Sequence, residues 1–166
     1  MKALALALCL AHSAAVANTH LEQAVKANYL VRFTAFVEWP TAAFPADGSP
    51  LHICVAGADP FGQTLDRAAQ GQTAWGHPIT VRRVGSESLR GCHVAYLGRG
   101  YSLTAATNLP VLTVTDADVS GHRGAVHFVV VNSRVRFHID QGQSQRAGLR
   151  ISSRLLNLAL SVRGAR

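Results

Sequence analysis

Residues 125–131 are apolar except for His127, and the stretch after Asn132-Ser133 alternates strictly: Arg134, Arg136, His138 and Asp140 interleave with Val135, Phe137 and Ile139. An apolar run without alternation reads as a central strand covered on both faces, which places it in a sheet inside an α/β domain. The alternating run reads as its antiparallel partner with one face in water. The two residues between them fit a two-residue hairpin turn.

Upstream, residues 51–56, 79–84, 92–97 and 111–115 are short apolar runs bounded by turn-rich sequence, and each reads as a strand. Residues 21–39 carry apolar side chains near helical spacing, with Asn18 or Thr19 as cap and Pro40 as the stop. Pro60 sits well in the first turn of a helix reaching about Gln70. Residues 103–107 give a weakly marked helix, and residues 152–162 a final one capped by Ser152. Strands alternating with helices predict a single α/β domain: a mixed, mostly parallel sheet flanked by helices, closed by a C-terminal β-hairpin and a final helix.

The first seventeen residues narrow the compartment. Lys2 is followed by an apolar run over 3–10, and Ala15-Val16-Ala17 reads as a small-x-small cleavage site. That run falls short of the roughly 20 residues that span a bilayer, so 1–17 is expected to be a cleaved signal and 18–166 the mature domain. Cys9 does not make a lipid anchor, because Leu8 is bulky where such sites need a small residue. With no second stretch of membrane length, the mature chain is expected to be soluble outside the cytoplasm. Reduced nicotinamide and ATP are scarce there, which argues against kinases and dehydrogenases. Sixteen Lys and Arg against nine Asp and Glu give +7 over 166 residues. No basic run concentrates that charge, so it does not point to nucleic acid.

Several patterns touch on chemistry. Gly57-Ala58-Asp59-Pro60-Phe61-Gly62-Gln63-Thr64 has the spacing of a phosphate loop. Gln63 stands where the lysine belongs, Pro60 removes a donor and Asp59 repels phosphate, so it reads as a tight strand-to-helix turn. Cleavage leaves Cys54 and Cys92; in an exported chain a disulfide is favoured over free thiols. A zinc set with His52 and His93 is the third reading, disfavoured because Cys92 and His93 are adjacent and point to opposite faces of a strand. His122, His127 and His138 near Asp116 and Asp118 invite a hydrolytic triad, yet no nucleophile elbow exists. No catalytic residues, metal or cofactor are assigned. Arg150 with Ser152 and Ser153, at the mouth of the last helix, could hold an anion; plain capping by Ser152 with Arg150 paired to Asp140 explains the same residues.

Taken in order, Lys26-Ala-Asn-Tyr-Leu-Val-Arg-Phe33, Phe36-Val-Glu-Trp-Pro40, the Asp59-Pro-Phe-Gly62 turn, Gly91-Cys-His-Val94, Pro110-Val-Leu-Thr-Val114, Arg134-Val-Arg-Phe137 and Gly148-Leu-Arg-Ile-Ser-Ser-Arg-Leu-Leu156 resemble the YfiR-type periplasmic proteins. The resemblance implies a homodimeric periplasmic repressor, not an enzyme. It would bind the periplasmic domain of a membrane-bound diguanylate cyclase and lower cyclic di-GMP, a signal tied to biofilm formation. Cys54 and Cys92 match the pair bridged in that family, whereas a second pair found in some members is missing. Arg150 and Ser152 fall where the family is thought to hold a small ligand. Phe36, Trp39 and Phe44 near one helix end could form an aromatic contact patch, or could simply staple that helix to the sheet. The rival reading is a periplasmic sensory or small-ligand-binding module serving another membrane receptor, such as a histidine kinase. An exported hydrolase using Ser86, His127 and Asp116 is the remaining class.

Overall fold

The structure, a computed structural model, describes residues 2–85, 88–101, 109–116 and 123–164, with side chains from Asn18 onward. The elements follow in chain order as α1 (Lys2–Phe33), β1 (Val37–Glu38), a 3-10 turn (Thr41–Ala43), β2 (Leu51–Ala56), α2 (Gln63–Ala69), β3 (Thr73–Ala74), β4 (His77–Val84), β5 (Val94–Leu97) and β6 (Leu112–Thr115). The chain continues with β7 (Val126–Val131), β8 (Arg134–Asp140), α3 (Gln141–Arg146), β9 (Arg150–Ile151), α4 (Ser153–Leu156) and β10 (Ser161–Arg163).

Among the described residues one sheet of eight strands runs in the order β10-β8-β7-β6-β5-β2-β4-β3. Its five inner strands, from β7 through β6, β5 and β2 to β4, are all parallel. Their spatial order is that of a doubly wound sheet, in which the chain first moves one way from β2 and then returns past it in the other direction. The hairpin strand β8 is antiparallel to β7, with Val126 opposite Ile139 and Val131 opposite Arg134. Its turn residues Asn132 and Ser133 have φ of 50° and 58°, the left-handed pair that a two-residue hairpin requires.

Alternation along the strands sorts the core into two layers. Leu51, Ile53, Val94, Leu112, Val114, Val126, Phe128, Phe137 and Ile139 pack beneath Leu30 and Phe33 of α1 and Leu65 of α2. Phe33 lies 5.9 Å from Phe128 and 5.3 Å from Phe137, the latter edge-on, and Tyr29 completes the cluster 5.4 Å from Phe137. The opposite face is smaller, built on Cys54, Leu89, Cys92, Ala95, Leu97, Tyr101 and Val111. Cys54 and Cys92 are joined there, with Cα atoms 5.8 Å apart, stapling β2 to the approach of its neighbour β5.

Five expectations from sequence change. The second helix begins at Gln63 behind its cap Gly62, so Pro60 lies in the turn before it and not in its first turn. The first helix ends at Phe33, not Trp39. Thr34 turns its hydroxyl back onto the Val31 carbonyl at 2.6 Å, and Val37 leaves the helix to pair with Ile151. That helix also runs unbroken through Asn18 and Thr19, so neither caps it. The final helix is one turn, 153–156, and is followed by β10. β8 would otherwise present an open edge; Leu160 N–H donates to Phe137 O, and residues 161–163 pair with 138–140. Finally, β7 is not covered on both faces throughout. β6 pairs only with Val126 and His127, so the hairpin projects beyond it and Val130 and Val131 are exposed. The weak helix over 103–107 lies outside the described residues.

The loop 39–50 is fastened by His93. The His93 Nδ1 accepts the His52 backbone N–H at 3.0 Å, while Nε2–H donates to the Ala43 carbonyl at 3.1 Å. Phe44 stacks between His93 and His77, with ring centroids 4.4 and 3.9 Å away. Both ring nitrogens are thus committed to the neutral form, and burial pushes its pKa down to about 4. An unfolded histidine titrates near 6.5, so above that pH the state of His93 costs nothing. As pH falls from about 6.5 to about 4 the unfolded chain binds the extra proton. Stability should then fall by up to about 3 kcal/mol from this residue alone. The urea midpoint measured across that window should drop, and His93→Leu should flatten the drop while lowering stability at pH 7. A midpoint equally acid-sensitive in the variant would contradict this assignment.

The bridge closes a separation of 38 residues, which in chain-entropy terms stabilises the fold by about 4 kcal/mol. Protein purified without reductant from an oxidising compartment should weigh about 2 Da less than its reduced form. Two free thiols there would contradict the bridge.

Candidate functional site

In a doubly wound sheet ligands enter at the carboxyl ends of the strands where the winding reverses, here between β2 and β5. Backbone closes that place. Ala58 N–H donates to Arg99 O at 3.0 Å and Gly98 N–H to Ala56 O at 2.7 Å. A Cβ on Gly98 would lie 2.0 Å from the Ala58 carbonyl oxygen, and one on Gly57 2.8 Å from that of Arg99. Both positions therefore need glycine, and Gly57 also has φ +81°. The turn that follows uses its own polar groups. Asp59 accepts from Phe61 N–H at 2.7 Å and from Arg83 Nε at 3.0 Å. Arg83 also grips both carboxylate oxygens of Asp66, and those hydrogen bonds hold that carboxyl below the usual range. The Gly57–Thr64 spacing is a structural turn with no cradle for phosphate.

The titratable groups in the interior are engaged elsewhere. Lys26 of α1 is buried and paired with Asp116, at the carboxyl end of β6, and with Glu22 one turn back. Burial works against its charge, but hydrogen bonds and charge from the two carboxylates outweigh it, so its pKa is raised. Asp116 is therefore committed to a lysine. His127 shares a hydrogen bond of 2.9 Å with Thr115 Oγ1, and His138 one of 2.6 Å with Ser161 Oγ. Burial lowers the pKa of His127 and favours its neutral form. His122, Asp118 and Ser86 lie outside the described residues. With the Cys54 and Cys92 sulfurs bonded to each other, no group of three possible metal ligands exists among the described residues.

The residues singled out for binding gather around the small antiparallel ribbon of β1 and β9. Val37 pairs with Ile151 and Glu38 with Arg150, while Ser152 N–H donates to Phe36 O at 2.8 Å. Arg150 is highly exposed and lies 3.7 Å from Glu38; it does not pair with Asp140. Asp140 instead caps α3 by accepting from Gln143 N–H at 3.0 Å, and it faces Arg163 at 3.6 Å. Ser152 Oγ accepts from Arg154 N–H at 3.3 Å, a cap on one turn of helix, and Ser153 is exposed beside it. Phe36 and Trp39 are half-buried against the main core. The Trp39 indole N–H donates to the His93 carbonyl at 3.1 Å, so Trp39 fastens the loop to the sheet.

Sequence reasoning missed a different surface. Leu21, Val130, Val131, Leu158, Leu160 and Val162 are all substantially exposed. Tyr29 and Val25 of α1, the β7–β8 hairpin and the turn after α4 enclose a groove of about 810 Å³ at this end of the sheet. Its signal was the apolar run at 129–131, which the alternation next to it disguised as interior.

No helix among the described residues is long and apolar enough to cross a membrane. No curated protein matches the chain. The YfiR/HmsC-like family model matches residues 23–160, from the middle of α1 to the approach of β10. That span takes in the aromatic cluster, the bridged cysteines, the closed winding point and the ribbon, and the chain therefore belongs to the YfiR/HmsC-like family.

Proposed function

We propose that this protein is an exported regulator that binds the periplasmic domain of an inner-membrane diguanylate cyclase and holds the enzyme inactive, lowering cyclic di-GMP. The family match over residues 23–160 carries this reading. Three features support it. The signal-like segment 1–17 and the Cys54–Cys92 bridge suit an oxidising compartment. The backbone-filled winding point removes the crevice in which such a sheet usually holds a ligand, which suits action through surface contact. The ribbon offers Arg150 and Ser153 to a partner, with Phe36, Trp39 and Ser152 fixing its position.

The decisive test is intracellular cyclic di-GMP with the gene deleted and then restored. Deletion should raise the level and complementation should return it. An unchanged level in cells expressing their membrane cyclases would overturn the reading in favour of a sensory module for another receptor, such as a histidine kinase.

A further inference from the structure

The sheet ends at β4 in an edge that is left open beside a helix. β4 pairs with β2 without a break, from Leu51 opposite Ile79 to Ala56 opposite Val84. On its other side β3 covers His77 and Pro78, and one further bond runs from Ile79 N–H to Gln72 O. Backbone groups alternate in direction along a strand, so the N–H and C=O of Val81 and Arg83 face the same side as those of Ile79. No described strand pairs with them there. Neither a proline nor a bulge blunts the edge between Ile79 and Val84, whereas the edge at β10 is three residues long. A groove of about 460 Å³ runs along this edge, with Ile79, Val81 and Ala69 as its apolar floor and Gln63, Arg67 and Gln70 of α2 as its wall. Arg83 ties that wall to the strand through Asp66 and Asp59, which sets the width of the groove. The guanidinium groups of the exposed Arg67 and Arg82 take part in no hydrogen bond or ion pair among the described residues.

We propose that the open edge of β4 takes an extended, acidic segment of a partner protein as an added strand, lying in the groove beside α2. Donors and acceptors repeating along a strand are matched in spacing by another extended polypeptide, and strand addition to a sheet edge is a recurrent mode of peptide capture. The side chains of such a segment alternate between two environments. Those on the α2 side meet Ile79, Val81 and Ala69, and those on the other face meet Arg82, which shares that face with Cys54. Acidic residues are favoured on the Arg82 face because three arginines, Arg67, Arg82 and Arg83, stand here against two aspartates, Asp59 and Asp66, among the described residues. A second copy of this chain is disfavoured as the occupant, since pairing two β4 edges about a twofold axis would bring their arginines together. The edge lies at the opposite end of the sheet from β10, and its use does not depend on which membrane protein is regulated.

The test is fluorescence anisotropy of a labelled, amidated peptide of four Val-Glu repeats, titrated at physiological salt with the exported, disulfide-bonded protein. Saturable one-to-one binding is expected. The same peptide methylated on its amide nitrogens should bind about tenfold or more weakly, because it has lost its ladder donors. Val81→Pro removes an outward N–H while leaving the bonds to β2 in place, and should weaken binding to a similar extent. The double substitution Arg67→Glu and Arg82→Glu, at two exposed positions, should reverse the preference, so that Val-Lys repeats bind better than Val-Glu repeats. Circular dichroism should confirm that each variant folds; if Val81→Pro does not, the arginine variant decides. Absence of saturable binding would overturn the proposal, as would undiminished binding of the methylated peptide. A folded Val81→Pro protein with unchanged affinity would overturn it by placing the peptide elsewhere, and so would an unreversed preference in the arginine variant. Self-association that Val81→Pro abolishes, without uptake of peptide, would refute it too and give the edge to a second copy.

Discussion

The architecture depends on the stacking of α1 onto the sheet through Tyr29, Phe33, Phe128 and Phe137. Phe33, Phe128 and Phe137 are essentially inaccessible to water, and they join the first helix to a hairpin about a hundred residues later. Removing one such ring typically costs about 3–5 kcal/mol, a large part of a small domain's stability. The same contact sets the other features of α1. It brings Lys26 over the end of β6, where Asp116 can pair with it, and it lays residues 18–29 beside the hairpin to form the groove.

The opposite face is held differently. It has a small apolar cluster, and a covalent bridge supplements it where area alone is limited. Elsewhere His93 fastens the loop 39–50 through two ring hydrogen bonds and a stack with Phe44, and Trp39 and Phe44 of that loop pack against the main core. The two carboxyl-end loops that could have framed a crevice meet backbone to backbone at Gly57 and Gly98. Buried polar groups are thus used to fix the chain, and the features available to other molecules lie outside: an exposed ribbon and an apolar edge. This distribution suits a protein that acts by being bound.

The inner strands were legible in sequence because buried parallel strands read as short apolar runs, as at 51–56 and 111–115. The hairpin was legible because Arg134 to Asp140 alternates and Asn132 tolerates positive φ. Other segments lacked such a signature. Leu155, Leu158 and Val162 suit a helical face as well as a loop and an edge strand, so local pattern could not reveal that β8 needed a partner. The two-residue strands β1 and β9 owe their existence to each other, across more than a hundred residues. The candidate site was legible only in part for the same reason. Local reading gave Ser152 as a cap, but the partner of Arg150 is Glu38, brought from the far end of the chain by that ribbon. The open groove was hidden because an apolar run does not disclose whether anything covers it.

Inhibition from the outer face of the membrane is the central claim, and it can be measured by adding the purified, disulfide-bonded protein to spheroplasts of the deletion strain. These expose the periplasmic domains of the membrane cyclases while keeping their catalytic domains inside. The account predicts that cyclic di-GMP falls with added protein in a saturable manner, and that heat-denatured protein has no effect. A level that stays constant at saturating protein, in spheroplasts that still synthesise cyclic di-GMP, would contradict it.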